Sequence, residues 1–189
     1  MSQLAATATA QITTTTSRPW IVRRWPTWLA VAMCALTWGG EASDLAGPLV
    51  LLPIAYVVVA AARARPATWA FEITLIAAYI VLQVVGAPQP EVMMVAFGVV
   101  ALSVGLLRGH AHDRRVLMVQ GAGLALFAGA AFAALHVDSD LALWIVAGGW
   151  LAHGAWDAVH LRADAVVSRT YAEWCGVVDV LIALQLLMA

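Results

Sequence analysis

The chain has 189 residues, 63% hydrophobic and only 11% charged, where a soluble domain is about 45–50% apolar and about 25% charged. With a mean hydropathy of +0.87, this composition excludes an ordinary soluble domain and describes an all-α, polytopic membrane protein. The formal net charge is −1, and every one of the 10 basic residues is arginine; without a lysine amine there is no retinal Schiff base, so a rhodopsin-like pigment is excluded.

Residues 1–24 form a polar, Thr-rich stretch expected to be a disordered tail. It lacks the charge order and cleavage pattern of a signal peptide. Residues 25–189 hold seven apolar segments, each near the ~20 residues that a bilayer core needs. Trp20, Trp25 and Trp28 stand around Arg18, Arg23 and Arg24 as an interfacial belt before helix 1, about Pro26 to Gly40. Helix 2 is expected from about Pro48, capped by Ser43 or Asp44, to Arg63–Pro66. Helix 3 runs from about Ala67 to Val85, and Gly86, Pro88 and Pro90 break the chain before helix 4, about Glu91 to Leu107. Arg108 to Arg115 reads as the most polar loop, and helix 5 as about Val116 to Leu135. Asp138-Ser-Asp140 caps helix 6, about Leu141 to Leu161, and after the loop Arg162–Arg169 helix 7 begins near Tyr171.

Seven spans place all ten arginines on one side and Glu41, Asp44, Glu91, Asp138 and Asp140 on the other. That partition predicts the N-terminus inside and the C-terminus outside. Trp69 and Trp174 are expected at the inner belt, Trp38 and Trp144 at the outer. Gly121, Gly123, Gly129, Gly148 and Gly149 are expected to let helices approach closely. Cys34 and Cys175 fall at different depths, which argues for two free buried thiols.

The chemistry concentrates in Trp150-Leu-Ala-His153-Gly-Ala-Trp156-Asp157-Ala-Val-His160. His153, Asp157 and His160 stand at i, i+4 and i+7, on one face of a helix. Cys175 and Asp179 repeat the i, i+4 spacing on the next helix. At 1.5 Å per residue, His153 and Asp179 both lie roughly 12 Å from the arginine-side boundary, and Asp157 and Cys175 roughly 6 Å. Glu72 on helix 3 falls at roughly 8 Å and Gln120 on helix 5 at roughly 6 Å. Intramembrane ionisable residues face the bundle interior and mark functional sites. His153, Asp157, His160 and Asp179 form a ligand set for a divalent metal, zinc or iron. Asp157, Asp179 and Glu72 are the candidates for acid–base work.

Each residue also has a plainer reading. His153 and Asp179 suit a structural pair, Asp157 suits a bond to backbone or Gln120, and His160 suits a solvated interface. Glu72 suits an interfacial carboxylate, Cys175 a small apolar core residue, and His110 and His112 a solvated loop.

Seven helices, an inside N-terminus and a His/Asp cluster near the inner leaflet look like the alkaline ceramidase and progestin/adipoQ receptor superfamily. The resemblance is one of architecture and implies a zinc-dependent lipid amidase. The family's terminal-helix H-x-x-x-H is replaced here by Cys175 and Asp179, and the histidines sit one helix earlier.

The expected function is a small enzyme of a bacterial inner (cytoplasmic) membrane acting on a lipid or isoprenoid-like substrate. Its site is metal-dependent, for hydrolysis or oxidation, or metal-free, for isomerisation or cyclisation. The alternatives are a proton- or metal-ion carrier and a structural or assembly subunit. Membrane lipids and an apolar small molecule are the expected partners, and nucleic acid is not.

Overall fold

The computed structural model describes residues 19–36, 38–109 and 111–188, with only the backbone of Ala111 and His112. The tail before residue 19, His110 and the His112 side chain lie outside the described residues. Among the described residues there is no strand, and the helices are α1 (Trp20–Arg23), α2 (Trp25–Leu36), α3 (Ala42–Leu49), α4 (Leu51–Ala62), α5 (Thr68–Val84), α6 (Pro90–Arg108), α7 (Ala111–Ala134), α8 (Ser139–Ala163) and α9 (Arg169–Met188). Among the described residues, five stretches are long and apolar enough to cross a membrane: Ala42–Ala62, Arg65–Val84, Pro90–Arg108, Asp113–Ala134 and Arg169–Met188. The apolar α2 is shorter, at 12 residues. The 25-residue α8 is long enough, but it carries His153, Asp157, His160 and three tryptophans, which lower its hydropathy.

Several helix ends differ from the sequence reading. Pro48 lies inside α3, which starts at Ala42 after Glu41, and no side chain caps it; neither Ser43 nor Asp44 takes that role. Pro53 has no N–H to give Leu49, and the chain tightens just upstream, where Val50 N–H bonds Gly47 O at 3.0 Å. The polar stretch after Arg108 is largely helical, because α7 begins at Ala111. Trp20–Arg23, within the stretch read as tail, makes one helical turn. Asp138 does cap α8, accepting from Leu141 N–H at 3.0 Å. At the α5–α6 break, Gly86 takes φ +68° and Pro90 opens α6.

The helix α4 sits at the centre. Every residue from Leu51 to Val59 is buried, packed between α5, α6 and α7. The helix α9 packs along α8 and, on its other side, against α2. One end gathers arginines. Arg24 pairs with Glu173 at 3.2 Å, Arg63 with Asp113 at 2.6 Å, and Arg65 with Asp164. Arg65 also bonds Val167 O at 2.8 Å, and buried Thr68 accepts from Ser168 N–H at 3.0 Å, which fixes the loop that starts α9.

One expectation about packing needs correction. An added Cβ at Gly129 or Gly148 would meet nothing within 4 Å, so these glycines bring no helices together, whereas Gly121, Gly123 and Gly149 do face Leu102, Trp156 and Leu49 closely. Trp174 is buried among aromatic rings, 5.2 Å from Trp69 and 5.9 Å from Tyr171.

Candidate metal centre between α8 and α9

The close approach of α8 and α9 depends on a pair of facing glycines. A Cβ on Gly154 would lie 3.2 Å from Asp179 Cβ and 3.4 Å from Gly176 O, and one on Gly176 would lie 3.2 Å from Asp157 Cβ. Each helix therefore presents a bare backbone patch to a carboxylate on the other. The antiparallel run places the i, i+4 pair of α8 opposite the i, i+4 pair of α9.

His153, Asp157 and Asp179 have no exposure to solvent. His153 Nδ1 donates to Asp179 Oδ2 at 2.8 Å and stands 3.4 Å from Asp157 Oδ2. His153, Asp157, Cys175 and Asp179 can each place one ligand atom so that all lie within 4.8 Å of one another. Three of these residues keep a buried polar atom without a hydrogen-bond partner: His153 Nε2, Asp157 Oδ2 and Asp179 Oδ1. An unsatisfied buried polar atom costs about 1–3 kcal/mol, and more when charged. Two carboxylates and one imidazole in a dry interior also leave a negative charge unmatched unless the site holds a proton or a cation.

A tyrosine layer surrounds the cluster. Tyr56, on the central α4, donates its hydroxyl to Asp157 Oδ1. Tyr171 donates to Glu72 Oε2 at 3.1 Å, and Cys175 Sγ lies 3.8 Å from the Tyr171 hydroxyl. The Tyr56 ring is 5.8 Å from His153, 4.7 Å from His160 and 6.1 Å from Tyr171. Phe127 closes the remaining side of His153 at 4.8 Å.

The five residues expected at the site thus divide. His153, Asp157 and Asp179 meet directly. Glu72 is buried and reaches the cluster through Tyr171, whose hydroxyl also lies beside Cys175. His160 stands beside the cluster with both ring nitrogens engaged. Nδ1 donates to Trp156 O at 2.9 Å, which leaves Nε2 to accept from Gln120 at 3.3 Å. In its place Cys175 joins the group. Sequence reasoning did not find Tyr56 or Tyr171; the one available signal was a lone hydroxyl, Tyr56, in the otherwise apolar run of α4.

The site's donors, one imidazole, two carboxylates and one thiol, suit zinc or iron. The chain matches no protein-family model, no curated protein and no solved structure.

Proposed function

We propose that the chain is a seven-span protein of a bacterial cytoplasmic membrane, N-terminus inside, that holds a divalent metal between α8 and α9 and uses it on a lipid or isoprenoid-like substrate. The observation that carries this reading is the solvent-free group of His153, Asp157, Cys175 and Asp179, each able to place one ligand atom within 4.8 Å of the others, with buried polar atoms on three of them left without a hydrogen-bond partner. The gathering of arginines at one end supports the orientation. When bound, zinc or iron supplies a Lewis acid and an activated water or oxygen. The protein's own groups have distinct tasks. Asp179, 2.8 Å from His153 Nδ1, fixes the orientation of that ring. Tyr56 holds Asp157, and Glu72 with Tyr171 can pass a proton.

Elemental analysis of detergent-purified protein, beside a His153→Ala/Asp157→Ala variant, tests the reading. The expected result is one zinc or iron per chain in the wild type and none in a variant that keeps its helical circular dichroism. No metal in either preparation, or equal metal in both, removes it.

One observation favours a second reading, a cation carrier. Gln185, six residues beyond Asp179 on α9, is buried. With its amide oxygen turned to the loop, it accepts from Gly39 and Gly40 N–H at 3.0 Å each, so it extends polar groups toward the acidic end. Uptake of zinc or protons into vesicles carrying the wild type, and not the His153→Ala variant, would establish this function.

A further inference from the structure

A second polar site lies at the arginine end. A concave pocket of about 320 Å³ is bounded by Trp20, Arg23, Arg24, Leu161, Arg169 and Glu173. Three arginines and one carboxylate line it. Glu173 holds Arg24 at 3.2 Å and also accepts from Thr27 at 2.7 Å. Arg169 is held by a 3.0 Å bond to Leu161 O, in the last turns of α8. Two of the guanidinium groups are thus positioned by single bonds, and each keeps further N–H donors for an incoming anion.

Beside the pocket the surface is apolar and exposed. Trp20 is 65% exposed and Ile21 62%, and Trp25, Trp28 and Leu29 continue along α2 at 44%, 46% and 39%. Arginine forks match phosphate geometry with paired N–H groups. A free phosphate would use the guanidinium groups alone. A phosphate that carries hydrocarbon chains would use both the charged pocket and the apolar strip beside it.

From this pairing we propose that the pocket binds the headgroup phosphate of an anionic phospholipid, with the acyl chains lying along Trp25, Trp28 and Leu29. The site is separate from the metal centre and does not rest on it.

Native mass spectrometry of the full chain in an uncharged detergent tests this. The probes are phosphatidylglycerol, phosphatidylcholine and inorganic phosphate. Phosphatidylglycerol should stay bound where phosphatidylcholine does not. Each arginine near a membrane surface contributes about fivefold in affinity for anionic lipid, so Arg23→Gln/Arg169→Gln should weaken phosphatidylglycerol about 25-fold. Glu173→Gln, which removes the competing carboxylate, should keep or tighten it. Equal retention of the two lipids, or an unchanged double variant, overturns the proposal. Displacement of the lipid by millimolar inorganic phosphate also overturns it, since the pocket would then read an ion rather than an amphiphile. If the double variant fails to fold, Glu173→Gln decides, and weakened binding there overturns the proposal. Metal content should stay unchanged in every variant, so this test and that of the metal centre fail independently.

Discussion

Two halves of the molecule use one apolar composition for different ends. Of the α5 stretch Arg65–Val84 and of α6, 22% is buried inside the molecule, against 56% for α9 and 72% for α3–α4. The outer pair exposes valines, isoleucines and phenylalanine: Ile73, Val84, Phe97 and Val100 are among the exposed large residues. The inner set buries Tyr56, Tyr171, His153, Asp157 and Asp179 completely. On the exposed faces of α5 and α6 hydrophobicity is sufficient, whereas their inner faces are specific, with Glu72 bonded to Tyr171 and Gly105 close against Ala61. In the inner half, each polar atom needs a specific partner, and a wrong atom has no water to turn to.

The largest test of that contrast is Asp179→Ala. It strips His153 of its partner inside a closed site and should cost about 3–5 kcal/mol, read as a lowered unfolding midpoint in detergent. An effect near zero would show that the pair contributes nothing to the fold. Gly176→Val comes next. Its side chain would press on Asp157 Cβ across the helix contact, and overpacking of this kind costs about 1–3 kcal/mol. Gly148→Val is the matched control: it meets open space, and equal damage from both would refute the close-contact assignment. Tyr56→Phe leaves Asp157 Oδ1 without its donor and should cost about 1–3 kcal/mol, with weakened metal retention measured beside it. At the small end, Ile73→Ala on exposed α5 should change stability by no more than about 0.5 kcal/mol. A loss of several times that would mean α5 packs against something beyond this chain.

Much of the site could be read from spacing. Counting rise per residue placed His153 level with Asp179, and the two bond at 2.8 Å. It also placed Asp157 level with Cys175, and both belong to the cluster. That worked because α8 and α9 are consecutive and antiparallel, so depth alone fixes who meets whom. Depth does not say which distant helix lies alongside. Tyr56 reaches Asp157 across 101 residues, and no local pattern announces that α4 is the central helix. Rotation about each helix axis was equally hidden: Gly129 and Gly148 looked like contact glycines, while Gly154 and Gly176 proved to be the pair. Helix ends failed where polar residues were read as loop, as after Arg108, although charged first turns are compatible with a helix that leaves the apolar layer.

The modest apolarity of α8 bears on how the chain is made. This helix precedes α9 in the sequence, so His153 and Asp157 emerge from the ribosome before Asp179 exists to receive them. An Asp at a span centre carries an insertion cost of about 2.5–3.5 kcal/mol, and Asp157, nearer the boundary, carries a smaller one to which His153 adds. On the topology proposed above, α8 and α9 would therefore enter the bilayer most cheaply together, as a hairpin. Insertion of the last two helices and formation of the His153–Asp179 pair would then be a single event of biogenesis.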